Sequence, residues 1–384
     1  MTNDIKGYFD YAAATPLDNL VKQKMEPFFN DNFYNPSAIY LKARAVRVAK
    51  EEARRRVAQA LGARESEIVF TAGGTEANNL AIKGLTGIYD EGHVICCATD
   101  HDSVIKPIKS TKNYSIASVD NRGFINLDDL ENKIQDNTVL VSICYANNEI
   151  GTIAPIKDIY GLIEKIRSQR RLQGNSQPIY LHLDAAQATN YLDISVARLG
   201  VDLMSINSGK IYGPKQMGCL FVRAGILLAP LIEGGGQESS LRSGSENVAG
   251  IIGFSYALEK AVKNRKSESF RLLTLRDEFI KNITKKFNNA YINGPKGNKR
   301  LANNISITIP GIDNEYFLMQ LDELGFMVAT GSACSASNEE PSHVLKAIGL
   351  TEKDIFSSLR ISFGRYTTQE SLKNLSLAIE ELLK

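Results

Sequence analysis

From about residue 40 to residue 255 the chain alternates helical periodicity with short, unbroken apolar runs, and few folds accommodate that pattern. Short apolar runs between helices make strands buried on both faces, which pair in parallel while the helices cover the sheet. Strands are predicted over 68–70, 93–98, 115–119, 139–144, 179–183 and 218–222, with helices over 43–61, 75–85 and 156–170. Residues 171–177 are polar and read as a surface loop, and Gly234-Gly235-Gly236 as a flexible corner. Residues 248–287 form one long helix or a pair. Beyond them, apolar runs at 304–309 and 359–363 between helices give a smaller α+β unit. The expectation is an α/β chain with a large domain over 15–255. A small α+β domain would comprise 1–14 and 256–384 and carry a loop at about 328–341.

Charge narrows the function classes. Forty-five basic residues against 43 acidic ones leave a net charge of +2, so nothing points to direct nucleic-acid binding. The triplet Arg54-Arg55-Arg56 falls in a helical pattern and is expected on a solvated face. The longest apolar run noted, 224–232, has nine residues, against about 20 for a bilayer-spanning helix. With no apolar signal core at the start, a cytoplasmic protein without membrane association is expected. Five cysteines show no metal-like spacing. Cys96, Cys97, Cys144 and Cys219 lie in apolar runs, where cysteine behaves as a small hydrophobe. Cys334 sits among Gly, Ser, Ala and Thr, and is the one candidate for a reactive thiol.

Chemistry-bearing residues gather where the predicted strands end. The turn holding Gly73, Gly74 and Thr75 joins a strand to a helix. Its glycines let successive N–H groups face one point, and the helix start adds partial positive charge, so it suits a phosphate. Neither a Walker sequence nor a dinucleotide glycine motif is present. His101 follows the strand ending near Ala98, at the edge where sheet ligands bind; His93, His182 and His343 lack such a position and are expected to be structural. Asp184 ends another strand and is costly to bury unless it faces a cation, such as a protonated ring nitrogen. Asn147, Asn148 and Glu149 add polar groups to the same edge. Lys210 lies in a tight turn before Gly213-Pro214 and could form a Schiff base if its amine is partly desolvated. A strand-end carboxylate, a turn lysine and an exposed thiol together suggest covalent amine chemistry joined to sulfur chemistry.

In these motifs the chain resembles the cysteine desulfurases of the NifS/IscS type, from Tyr8 to Arg365. The resemblance rests on Asn35-Pro36-Ser37, the run from Phe70 to Asn79, Asn147-Asn148-Glu149, and Asp184 through Gln187. It continues through Lys210 to Pro214, Gly234 to Glu238, Arg242-Ser243-Gly244, Ser332 to Cys334, and Arg360. It implies the fold type I of pyridoxal-phosphate enzymes, like that of aspartate aminotransferase, with a mostly parallel seven-stranded sheet, and pyridoxal 5'-phosphate as cofactor. Lys210 would bind the cofactor covalently, Asp184 pair with its ring nitrogen, Gln187 bond its phenolic oxygen and His101 stack on the ring. Gly74, Thr75, Ser205 and Asn207 would hold the phosphate, with Ser245 reaching it from the second subunit of a homodimer. Arg360 and Asn148 would hold the carboxylate of L-cysteine. Lys210 and His101 would carry protons, and Cys334 would take the sulfur as a persulfide. Sulfur-acceptor proteins would follow, whether an iron–sulfur scaffold, a tRNA-thiolation enzyme or a thiamine-pathway carrier.

The chain departs from the family at several points. Asn207 and Gly209 stand where a serine and a histidine usually serve the phosphate, and a lost bond to a charged group costs about 1.5–3 kcal/mol. Tyr40 replaces a common histidine, Ser239 a glycine and Ser245 a threonine. The expectation is a holoenzyme that releases its cofactor more readily than its relatives. Rival readings are an aminotransferase or selenocysteine lyase of the same superfamily, and a scaffold protein with a vestigial pocket.

Overall fold

A computed structural model describes residues 3–331 and 341–384. Seven strands make the main sheet: β1 (Ile68–Thr71), β2 (His93–Cys97), β3 (Tyr114–Ala117), β4 (Thr138–Cys144), β5 (Tyr180–Asp184), β6 (Leu203–Asn207) and β7 (Gly218–Val222). Their order is β1-β7-β6-β5-β4-β2-β3, parallel except for β7, which runs antiparallel to both neighbours. The expected mostly parallel sheet is therefore present. The strand missing from the sequence reading is β6, whose apolar residues alternate with Ser205 and Asn207 and so lack a continuous run. Central strands such as β2 are buried throughout, which is why their sequences are apolar without alternation.

A second sheet contains β8 (Tyr291–Ile292), β9 (Asn304–Thr308) and β10 (Ser358–Ser362), antiparallel in the order β10-β9-β8. Between the sheets runs a single helix, Val248–Lys286, of 39 residues. Residue 255, expected as the boundary, falls inside this helix, so no linker marks the change of sheet. Tyr8 and Asp10 form bridges with Met327 and with Ser362 of β10. Among the described residues no helix is long and apolar enough to cross a membrane.

Arg54 corrects the reading of the basic triplet as a solvated face. Its guanidinium grips Glu238 through two bonds of 2.6 and 2.9 Å, and the same carboxylate accepts from Phe70 N at 2.8 Å. This clamp pins a corner at which Glu238, Ser239 and Ser240 all take positive φ, of 47°, 57° and 66°. Left-handed backbone costs a non-glycine residue about 1–2 kcal/mol. Ser239 is exposed and makes no side-chain hydrogen bond. Ser239→Gly is therefore expected to raise stability by about 0.5–1 kcal/mol, after glycine's greater unfolded entropy is subtracted. Urea unfolding checks this, and a fall in stability would show that the corner is unstrained.

Candidate active site

Strand register brings the site together. Cys144 of β4 lies opposite Asp184 of β5, and Asp184 opposite Ser205 of β6, so these strands end side by side. At this edge a cavity of about 190 Å³ is lined by Gly74, Thr75, Asn78, His101, Asn148, Asp184, Gln187, Asn207, Lys210 and Arg360, among others. A second compartment of about 240 Å³ shares Gly74, Thr75, Asn207 and Lys210 with it and adds Gly73, Gly209, Lys215 and Gln216. Nine of the residues expected from sequence thus face one space.

Lys210 closes a 3₁₀ turn, Ser208–Lys210, capped by Asn207, whose Oδ1 accepts from Gly209 N at 2.9 Å. The turn is held from behind: Thr15 Oγ1 donates to Gly209 O at 3.0 Å and Asn190 Nδ2 to Lys210 O at 2.7 Å. Two residues on, Tyr212 has a φ of 64°, a strained conformation that its bonds to Thr15 and Asp18 fix. Lys210 Nζ donates to Ala12 O and Ala13 O at 2.7 and 2.6 Å. Gln187 Nε2 donates to the same Ala12 carbonyl at 2.8 Å.

Asp184 is 5% exposed. Its Oδ2 accepts from Asn78 Nδ2 at 2.7 Å and its Oδ1 from Ala186 N at 2.9 Å. Asn78 Nδ2 also reaches Ser103 Oγ at 2.8 Å, and Ser103 bonds His101 Nδ1 through both its N–H and its hydroxyl. With Nδ1 accepting, the neutral ring carries its proton on Nε2. Burial lowers the His101 pKa, and the Lys210 charge adds to this against Asp184, Asp102 and Glu149. The ring is therefore neutral at pH 7. Asn78 and Ser103 did not emerge from the sequence reading as site residues. Asn78 sits one turn after Gly74 on a buried helix face, a polar side chain where an apolar one is usual, and that was the available signal.

Ser205, also expected at the phosphate, lines neither compartment; it is fully buried and its hydroxyl bonds His182 Nε2 at 2.9 Å. Ser142 holds the other ring nitrogen at 2.8 Å. His182, fully buried, has its pKa depressed by burial to about 4, against the pull of Asp184. The native state refuses a proton that the unfolded chain accepts below about pH 6.5. The stability this confers is complete above about 6.5 and is lost as pH falls toward 4. Asp100, buried and pushed up to about 7, works in the opposite direction over an overlapping range. Comparison with a variant isolates the histidine: between pH 7 and 4.5 wild type should lose about 2–3 kcal/mol more than His182→Gln. Equal losses in denaturant titrations would contradict the depressed pKa.

Ser245 lies outside both compartments, in a neighbouring cavity with Gln216 and Glu246. Cys334 lies outside the described residues. Where the described chain stops and resumes, Ser342 Oγ donates to Glu149 Oε2 at 2.5 Å and His343 Nε2 meets Asp100 O at 2.9 Å. Both anchors are at the strand-end edge of the sheet.

The residues fit pyridoxal 5'-phosphate. Gly73, at φ 129°, begins the helix Gly74–Ile88 without any side-chain cap, so its first N–H groups open to the cavity as an anion seat. A Cβ on Gly74 would lie 3.3 Å from Asn207 Cβ, so this seat suits glycine. Asn78 Oδ1 and Arg360 Nε are buried without partners. Arg360, 2% exposed, pairs with Asp10 through Nη2 at 2.6 Å.

The aminotransferase class-V family model matches residues 7–375. The chain is 42% identical over 383 residues to a protein of Dictyoglomus turgidum named cysteine desulfurase IscS, covering 98% of this chain and 94% of that one. A solved NifS-like protein aligns with a TM-score of 0.88 at 31% identity, covering 98% of each chain. A structure titled SspA in complex with cysteine aligns at 0.79 with 35% identity, covering 94% of this chain and all of the other.

Proposed function

The chain belongs to the class-V aminotransferase family, and from that premise we propose that it is a cysteine desulfurase that uses pyridoxal 5'-phosphate. The observation that carries the proposal is the convergence of Lys210, Asp184, the uncapped helix start at Gly74 and Arg360 on one cavity. The bound cofactor would supply an electron sink for bond cleavage next to the substrate's α-carbon. Lys210 would hold it covalently, Asp184 would keep its ring nitrogen protonated, and Thr75 with Asn207 would seat its phosphate. Gln187 would turn its amide from Ala12 O toward the ring oxygen.

Arg360 and Asn148 would orient the carboxylate of L-cysteine, with Arg360 still steadied by Asp10. His101, neutral and holding a proton at Nε2, would share proton movement with the Lys210 amine. The Cys334 thiolate would attack the substrate sulfur. The carbon–sulfur bond breaks as a sulfur–sulfur bond forms, leaving alanine and a persulfide, with no external oxidant or reductant. The persulfide would then serve acceptor proteins in iron–sulfur assembly or thiolation.

A homodimer belongs to this reading. Phe33 (66% exposed), Ile39 (98%) and Leu41 (82%) are apolar side chains in one exposed segment, and such a patch marks an interaction surface. Ser245, outside its own subunit's cavity, would serve the partner's phosphate. The test is incubation of the purified chain with the cofactor, L-cysteine and dithiothreitol. Alanine and sulfide should appear in equal amounts; pyruvate, or amino transfer to an oxo acid, would favour another class-V activity.

A further inference from the structure

The second compartment holds a cation that the roles above leave unused. Lys215 lines it together with Gly73, Gly74, Thr75, Asn207 and Gly209. Its Cδ lies 3.4 Å from where a Cβ on Gly209 would sit, so its stem runs through space that a larger side chain at 209 would share. Its Nζ donates to Thr15 O at 2.9 Å, and among the described residues it forms no ion pair with a carboxylate. The residue is exposed, yet partial desolvation of its amine lowers its pKa. Pro214 on one side and Gln216, at φ 53°, on the other restrict the backbone that presents it.

Charge balance gives this ammonium a purpose. A phosphate monoester carries about −1.5 to −2 charges near neutral pH, whereas a helix start offers only about half a positive charge. Glu76, in the first turn of that helix, adds negative charge of its own. Glu76 is paired with Arg242 at 3.0 Å, which commits that guanidinium. Asn207 has its Oδ1 committed to Gly209 N, and can offer only its amide hydrogens.

We infer that Lys215 is the cation that binds the phosphate of pyridoxal 5'-phosphate in this chain. It completes, with Asn207 and the helix N–H groups, a seat in which Gly209 supplies no side chain. The inference rests on the cofactor reading proposed above. The looser cofactor retention expected from Gly209 is then offset by Lys215.

Titration of the apoprotein with pyridoxal 5'-phosphate and with pyridoxal, which lacks the phosphate, separates this role from a structural one. Lys215→Met should weaken binding of the phosphorylated ligand about 10- to 100-fold, the range of a lost bond to a charged group. Pyridoxal affinity should stay within about twofold, which also reports that the variant is folded. Lys215→Arg, which keeps the charge, should recover most of the loss. Unchanged affinity for the phosphorylated ligand, or equal losses for both ligands, would overturn the assignment. A wild-type chain that binds neither ligand would remove the cofactor reading itself, and this inference with it.

Discussion

Lys210→Ala is expected to lower alanine formation from L-cysteine by at least about 10³-fold, while leaving a folded chain that still takes up the cofactor. The size follows from two losses at one atom. In the proposed function the amine would be both the covalent anchor and a proton carrier, and positioned proton transfer alone contributes about 10²–10⁴. Folding should survive, because Nζ lies in a cavity and donates to two backbone carbonyls, Ala12 O and Ala13 O. The remaining grip would come from Asp184, Thr75, Asn207 and the helix start, which line the same cavity and which the substitution leaves in place. Lys210→Arg should be equally inactive: it restores charge to the same carbonyls but no amine that can lose its proton near neutral pH. Borohydride reduction and peptide mapping should label the wild-type peptide containing residue 210 and neither variant. A variant within tenfold of wild-type turnover would place the covalent chemistry elsewhere.

The helix–strand alternation made most of the main sheet legible, because parallel strands buried on both faces need continuous apolar runs. It failed at β6, where Ser205 and Asn207 interrupt the run. The polar residues there have separate purposes: Ser205 secures His182 under the sheet, while Asn207 caps the lysine turn. Alternation cannot distinguish these, and the phosphate role expected of Ser205 comes from the family resemblance alone. Asp184, His101 and Lys210 were legible because strand ends and tight turns leave few other uses for such groups. The supports behind them were not. The carbonyls of Ala12 and Ala13, which receive Lys210, come from almost 200 positions away in the chain, at separations of 198 and 197. Nothing in three consecutive alanines suggests that role. Arg54 was misplaced for the same reason, since its partner Glu238 lies 184 positions on.

Cys334→Ala should remove alanine formation from L-cysteine by about 10³-fold or more, with cofactor affinity within twofold of wild type. No other thiol described in the structure can substitute. Cys96, Cys97 and Cys219 are buried, and burial pushes the Cys97 thiol up to about 12 and the other two higher still. Cys144 does line the cavity, yet its thiol donates to Ala146 O at 3.0 Å. Burial drives its pKa well above the ordinary value, and the nearby Asp184 and Asp100 charges drive it further. A thiol in that state offers almost no thiolate, which is the attacking form. Residue 334 is flanked in the sequence by Gly, Ser and Ala rather than by an apolar run. Cys334→Ser should be as inactive as the alanine variant, because a hydroxyl cannot accept the substrate's sulfur as a persulfide. Iodoacetamide should modify one thiol rapidly in wild type and none in Cys334→Ala. If that variant instead makes alanine at the wild-type rate, carbon–sulfur cleavage needs no enzyme thiol, and the reaction belongs to a different branch of the class-V family.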